Sequence, residues 1–390
     1  MNSIEYIIIS FYKIYVNILF RRRPDVIFYY PQHFNRSEKG TNPYFDPILN
    51  ICNENNIQYM LLEEPDDKTS QPRNSKAIPA DFLFWTILVV RKIICSLFCY
   101  DYIKQERITA RVINIFTLGR LRSKRYVTIS GSMEHLFAAI NKSGRVYDLQ
   151  HGIIYSTHWG YFDTAGNILK IHYAENINFM VFGQGFYNTF FINDNNNKIL
   201  KDRVLITGYP LSCSENISAR GDSLLYSLQF TDDNTNEKTE EYAKLFGSSL
   251  SEIPNCSYNI LYKHHPRFNN VSDLSYITEK YENIFETSEN ISKLKDKIKL
   301  HITFNSTASF EYASYGIPTY FLFSDILPLG KTIFYDEYQY PLYKDMSINE
   351  VLDRLNDPIS ANEDAKIVKE WYERFYSPFD KDEFLKIMKS

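Results

Sequence analysis

The stretch Lys299–Phe323, KLHITFNSTASFEYASYGIPTYFLF, constrains the fold most, because it reads as a complete strand–loop–helix–strand unit. Leu300–Phe304 is a short run of β-branched and aromatic residues suited to a buried strand. Asn305-Ser306-Thr307 supplies N-cap side chains, and a helical stretch follows from Ala308 to Tyr315. Gly316 sits at the helix C′ position, Pro318 blocks continuation, and Thr319–Phe323 resumes as a strand. A helix that starts directly after a parallel strand presents unpaired N–H groups and the positive end of its dipole. Hydroxyls there add donors, so the spacing suits an anion such as a nucleotide pyrophosphate. Glu311, one turn further, falls where a carboxylate could accept hydrogen bonds from a ribose diol. An ordinary capped helix in an α/β core has the same local pattern, so the rest of the chain must decide.

With 390 residues, the chain has room for two domains, each with its own core. A formal net charge of −4 argues against a nucleic-acid binder. With 31 Tyr, 28 Phe and only 14 Gly, a repetitive or low-complexity chain is excluded and aromatic-lined cavities are favoured. Cys52, Cys95, Cys99, Cys213 and Cys256 form no CxxC pair and no Cys/His ligand set, which points to a reducing, cytoplasmic setting. Ile4–Phe20 is apolar but broken by Ser10, Lys13 and Asn17 and followed by Arg21-Arg22-Arg23; it lacks the plan of a secretory signal. Phe82–Tyr100 carries Arg91-Lys92 at its middle, which a membrane span tolerates poorly. Both are predicted to be amphipathic helices with cationic edges, packed on the protein or docked peripherally at the anionic inner face of the plasma membrane.

Strands alternate with helices along the whole chain. Asp25–Tyr30, Ile57–Leu62, Tyr126–Ser130, Arg145–Leu149, Phe179–Phe182 and Arg203–Thr207 are predicted strands separated by helical stretches. This rhythm predicts an α/β chain with parallel sheets covered on both sides. The expected division is an N-terminal Rossmann-like domain over 1–210, with a linker and the first elements of a second domain over 211–256. A C-terminal Rossmann-like domain over 257–360 and helices over 361–390 that return to the first domain complete it. Two such halves would face a central cleft at the carboxyl ends of their strands.

Three polar clusters each follow a predicted strand. Gln150-His151-Gly152 follows Arg145–Leu149, Lys263-His264-His265-Pro266-Arg267 follows Tyr258–Tyr262, and Asn305-Ser306-Thr307 follows Leu300–Phe304. Gly152 lets backbone approach a ligand, and a neutral His151 imidazole could take a proton from an attacking hydroxyl. Lys263, His265 and Arg267 form a cationic edge suited to phosphate. A metal site is not expected. His151, His158, His172 and the intervening Asp163 match no familiar ligand spacing, and the sole Asp-x-Asp, Asp380-Lys381-Asp382, lies in the C-terminal tail. Neither GxxxxGK[ST] nor GxGxxG occurs, which argues against nucleoside-triphosphatase and dinucleotide functions. Glu63-Glu64 at a strand end is read as a helix-capping or solvated pair in preference to acid/base machinery.

With these clusters placed, the chain resembles the GT-B glycosyltransferase-like proteins of bacterial surface-polymer synthesis. It is similar to the CDP-glycerol glycerophosphotransferases of teichoic acid assembly and to the capsule Kdo and sialic acid transferases. Gln150-His151-Gly152 looks like the family's His-Gly element, whose histidine is the general base. Gly208-Tyr209-Pro210 and Lys263-His264-His265-Pro266 look like its Gly-Tyr-Pro and Lys-x-His-Pro. Ser306, Thr307, Glu311, Gly316 and Pro318 match the spacing of its Ser-Ser-(x)3-Asp-(x)4-Gly-x-Pro, with Thr307 and Glu311 in place of Ser and Asp. Gly152-Ile153-Ile154 stands where the family has Gly-Thr-Pro. The resemblance covers about 145–323 and implies a metal-independent transferase with no cofactor beyond its nucleotide-sugar donor and a saccharide or lipid-linked acceptor. His151 would be the base, Lys263, His265, Arg267, Asn305, Ser306, Thr307 and Glu311 would hold the donor, and Gln150, Gly152, His158, Gly208 and Tyr209 would line the cleft on the acceptor side. A CDP-polyol phosphotransferase and a non-catalytic module of a polysaccharide-assembly complex remain the alternatives.

Overall fold

The computed structural model describes residues 3–20, 23–36, 38–98, 100–211, 221–231, 234–253, 258–265 and 273–389. The chain divides into two units, Met1–Ser212 together with Tyr376–Ser390, and Cys213–Phe375.

Unit 1 is built on β1 (Val26–Pro31), β2 (Tyr59–Glu64), β3 (Ile78–Pro79), β4 (Arg125–Ile129), β5 (Arg145–Leu149), β6 (Ile177–Val181) and β7 (Val204–Ile206). They form one parallel sheet in the order β3-β2-β1-β4-β5-β6-β7. Every residue of β1, VIFYYP, is buried, as expected for a strand with both faces covered. Its helices are α1 (Ser3–Phe20), which precedes the first strand, and the connecting α2 (Phe45–Glu54), α3 (Asp81–Leu97), α4 (Tyr102–Phe116), α5 (Glu134–Ile140), α6 (Gln184–Phe190) and α7 (Asp194–Leu200). Ser10, a polar break in the apolar N-terminal run, is buried; its Oγ donates to Pro79 O at 2.7 Å and accepts the Phe82 N–H at 3.0 Å, which ties α1 to the start of α3. Arg91 does not form a cationic edge of α3. Its Nε and Nη2 donate to Glu106 Oε1 and Oε2 at 2.7 and 2.8 Å, joining α3 to α4. Burial of that pair leaves the opposite stripe of α3, Trp85, Val89, Ile93 and Leu97 at four-residue spacing, exposed.

Unit 2 has β8 (Ser223–Ser227), β9 (Asn259–Lys263), β10 (Ile284–Glu286), β11 (Ile298–Thr303) and β12 (Thr319–Phe321), all parallel in the order β10-β9-β8-β11-β12. Its helices are α8 (Asn236–Glu252), α9 (Ser275–Thr278), α10 (Ile291–Leu294), α11 (Ala308–Ser314), α12 (Ile348–Asn356) and α13 (Pro358–Phe375). β8 lies in the polar segment read above as a linker and the first elements of a second domain, and it is the middle strand of this sheet. Its five residues, SLLYS, are too short and too flanked by serine to announce a strand, and only pairing on both edges fixes them. The core gathers Leu225, Leu294, Ile298, Tyr312 and Ile317. Phe310 stacks on Trp371 at 4.5 Å, securing α11 to α13.

After α13 the chain returns to unit 1. Tyr209 N–H donates to Ser377 O at 2.8 Å, Asp380 N–H to Thr207 O at 2.9 Å, and Ser377 N–H to Phe182 O at 3.1 Å. The last helix, α14 (Lys381–Lys389), is held by Arg125 Nε donating to Ile387 O at 2.9 Å.

Candidate active site

Both sheets share one winding: the first strand of each is central, the next two lie to one side and the fourth to the other. The carboxyl ends around that reversal are where open α/β sheets hold ligands, because the loops diverge there. In unit 1 the reversal lies between β1 and β4, and in unit 2 between β8 and β11.

β5 ends in Gln150-His151-Gly152. Gln150 is buried and both polar ends of its side chain are engaged: its Nε2 donates to Gly152 O at 2.7 Å and its Oε1 accepts the Phe182 N–H at 2.8 Å. It fixes the loop that carries His151. The His151 carbonyl accepts the Tyr44 hydroxyl at 2.9 Å, and Phe34 meets the imidazole edge-on with ring centres 5.4 Å apart. His151 Nδ1 is buried with no hydrogen-bond partner among the described residues. Desolvation, helped by the imidazoles of His158 and His33, pushes its pKa down to about 4, so the ring is neutral. A Cβ placed on Gly152, its chain neighbours set aside, would meet nothing within 4 Å, so the backbone just after His151 borders open space.

His158 sits in a tight turn, where its Nδ1 accepts the Gly160 N–H at 3.2 Å and its ring packs against Tyr155 and Tyr161. Gly208 and Tyr209 have a structural task. Gly208 adopts φ +77°, and a Cβ there would lie 2.1 Å from Pro378 O, so the close approach of the returning chain requires glycine. The Tyr209 ring packs on Phe182 at 4.8 Å and Tyr376 at 5.1 Å. The capping or solvated role expected of Glu63-Glu64 is corrected. Glu63 is buried and accepts from Tyr30 Oη, Asn35 Nδ2, Asn74 N and Arg73 Nη1 at 2.8–3.1 Å, while Glu64 accepts from Ser132 Oγ at 3.0 Å. Sequence reasoning missed His33, Phe34 and Tyr44, which the β1–α2 connection brings to His151. The signal was available: a Gln-His-Phe run directly after the most apolar strand.

In unit 2, Asn305-Ser306-Thr307 follows β11 on the reversal side of the sheet. Ser306, not Thr307, caps the turn, with its Oγ accepting the Ala308 N–H at 3.2 Å. Thr307 has helical angles, makes no side-chain cap and is exposed. Asn305 Oδ1 and Ser309 Oγ are buried without hydrogen-bond partners among the described residues. Lys263 ends β9, and its Nζ donates to Glu289 O at 2.7 Å. Desolvation raises the carboxyl of the solvent-accessible Glu311, and the Lys263 ammonium opposes that rise. His265 is half-buried, and Arg267 lies outside the described residues. Beneath the loop His301 is fully buried, its Nε2 2.8 Å from Ser227 Oγ and its Nδ1 3.0 Å from Thr319 Oγ1. Burial drives its pKa down to about 3, so a neutral ring bridges β8, β11 and β12.

His151, His158 and Asp163 form no ligand set among the described residues; Asp163 is exposed and caps its own turn with the Ala165 and Asn167 N–H groups. His172 instead lies beside Glu134 and His135.

No protein-family model and no curated protein matches the sequence. Solved structures do match. The wall teichoic acid polymerase TagF, as one variant, aligns over 100% of this chain and 92% of its own at 13% identity and TM-score 0.51. An S. aureus TarM variant, solved with fondaparinux, alpha-GlcNAc-glycerol and UDP, aligns over 94% and 100% at 10% identity and TM-score 0.53. The chain has the GT-B glycosyltransferase fold. The fold is not tied to one chemistry: the UDP-GlcNAc 2-epimerase of Neisseria meningitidis aligns over 93% and 98% at 10% identity and TM-score 0.50.

Proposed function

We propose that this protein is a glycosyltransferase that moves a sugar from a nucleotide-sugar donor to a saccharide acceptor in bacterial capsule or O-antigen synthesis, without a catalytic metal. The observation that carries the reading is His151: a neutral, desolvated imidazole at the carboxyl end of a parallel strand, with one ring nitrogen that has no hydrogen-bond partner among the described residues. In this reading unit 1 supplies the base that deprotonates the acceptor hydroxyl, held by Gln150 and Tyr44 through the backbone. Unit 2 supplies the donor site, where Asn305, Ser306, Thr307 and the Lys263–Arg267 edge would meet the phosphates and Glu311 the ribose. The solved GT-B proteins that carry UDP or UDP-GlcNAc support a nucleotide diphosphate donor.

The full-length likeness to TagF favours a second reading at the same site, transfer of a polyol phosphate from a CDP-polyol. A thermal-shift screen with CDP-, CMP-, UDP- and GDP-linked donors selects the nucleotide, and product analysis for glycosidic or phosphodiester linkage decides between the readings. Stabilisation by none of these donors would remove the transferase assignment.

A peripheral position on an anionic membrane surface belongs to the same proposal. Among the described residues no helix is long and apolar enough to cross a membrane. Trp85, Val89, Ile93 and Leu97 on α3, with Ile8 and Phe11 on α1, nevertheless expose apolar side chains on packed neighbouring helices. Such a face suits an interface with lipid-linked acceptors. Equal recovery from phosphatidylglycerol vesicles and from lipid-free buffer in flotation would discard it.

A further inference from the structure

We propose that Glu134, His135 and His172 form a structural metal site of the zinc type, which staples the long β5–β6 connection to α5. The site is separate from the reaction proposed above and does not depend on it. All three side chains are buried, and their ligand atoms lie within 4.8 Å of one another. Glu134 Oε1 is 3.1 Å from His135 Nε2 and 3.1 Å from His172 Nδ1. Two ligands on a tetrahedral zinc, each at about 2.0–2.1 Å, are separated by roughly 3.3 Å, so these spacings suit a shared ion.

The hydrogen bonds around the cluster are compatible with an ion. His172 Nε2 lies 2.8 Å from Gly160 O, and a carbonyl can only accept, so that nitrogen carries the proton. In a neutral ring Nδ1 then turns a lone pair toward a carboxylate oxygen. Nδ1 forms no hydrogen bond there, although it is buried. A lone pair facing an anion is repulsive, so the contact is either an imidazolium–carboxylate pair or two ligands of one cation, and the geometry of the three residues accommodates the second. A backbone carbonyl holding the far N–H of a histidine is the arrangement that orients metal-binding imidazoles. The second carboxylate oxygen, Glu134 Oε2, is also buried without a hydrogen-bond partner among the described residues, so it stays available to the ion. Neighbouring Asp148 is already committed, with Oδ1 accepting the Gly131 N–H at 2.8 Å and Oδ2 the Tyr161 hydroxyl at 2.8 Å.

The placement gives the ion a task. Glu134 and His135 open α5, directly after a loop in which Ser130, Gly131 and Met133 all have positive φ. His172 lies in the short helical turn Lys170–Tyr173, at the far end of the connection that begins with His151. An ion shared by them closes that connection onto the sheet and removes loop freedom.

The test uses the full-length protein, freed of metal by chelator and titrated with Co2+ and then Zn2+. Expected are about one equivalent bound per chain, the intense visible bands of tetrahedral cobalt and a melting temperature raised by roughly 5 °C. Zn2+ should also slow proteolysis within residues 152–173. His172→Ala and Glu134→Gln should lose the cobalt bands, and His33→Ala, outside the cluster, should keep them. Should the cluster variants fail to fold, the titration of the unaltered protein still decides. The proposal is overturned by a folded protein whose melting temperature ignores Zn2+ and which shows no tetrahedral cobalt spectrum, or by bands that survive in His172→Ala.

Discussion

His151 joins two properties that seldom coincide: an imidazole buried enough to stay neutral, and a ring nitrogen that no described residue engages. Because its pKa is pushed down to about 4, the base form is present throughout the physiological range. The acid limb of kcat/KM, which reports the free protein, should therefore lie near pH 4 instead of 6.5, and a limb at 6.5 in a pH–rate profile would exclude His151 as the base. His151→Ala should lower the transfer rate by about 10²–10⁴-fold with little change in melting temperature or donor-induced stabilisation. Gln150 calls for the opposite outcome. Removing its side chain in Gln150→Ala strands the buried Phe182 N–H and the Gly152 carbonyl, so chemical denaturation should show a loss of about 2 kcal/mol. The sequence placed both residues after a strand and gave both to the cleft. It could not separate them, because the two directions a side chain takes from a loop depend on what the next strand, β6, offers.

At the scale of elements, the informative contacts join segments far apart in the chain. Gly208→Ala would thrust a Cβ against Pro378 O and force a left-handed backbone on alanine. It should cost on the order of 2–4 kcal/mol and expose the C-terminal segment to protease; an unchanged digestion pattern would refute this. The Arg91–Glu106 pair makes a similar prediction. Glu106→Ala leaves a guanidinium without its bidentate partner between α3 and α4, and should lower stability by about 3 kcal/mol in urea titration, whereas Lys92→Ala should change it little. In the sequence Arg91 and Lys92 are indistinguishable as cations. Which one turns inward depends on where the Glu106 carboxylate lies, and that is a tertiary fact. The unit at Lys299–Phe323 was legible almost to the residue, because strand, cap, helix and C′ glycine are all local signals; only the tertiary structure selected Ser306 from Asn305-Ser306-Thr307 as the side chain that caps.

For the molecule as a whole, buried neutral histidines set the response to acid. His301, whose pKa is held near 3, and His151, near 4, both lie below the unfolded value of about 6.5, so below that value the unfolded chain binds more protons than the folded one. Their stabilisation is complete above pH 6.5, declines as pH falls, and is lost through the folded pKa values. Urea midpoints measured from pH 7 to 4 should therefore fall steadily, and His301→Gln should flatten that slope; a slope unchanged by the substitution would show that other groups dominate. The alternation of short apolar strands with amphipathic helices was by itself enough to specify two parallel α/β units, since a strand buried on both faces must be apolar throughout and needs a crossover to reach its parallel neighbour. Only the tertiary structure determined that SLLYS is a central strand, that Gly208 serves the returning chain, that Glu63 is an interior hub, and that His172 belongs with Glu134 and His135. Each of these depends on partners outside the local element, from 10 to 170 residues away. Local sequence fixes backbone preference within a few residues, whereas burial and proton placement are set by whichever distant groups the completed fold brings within hydrogen-bond reach.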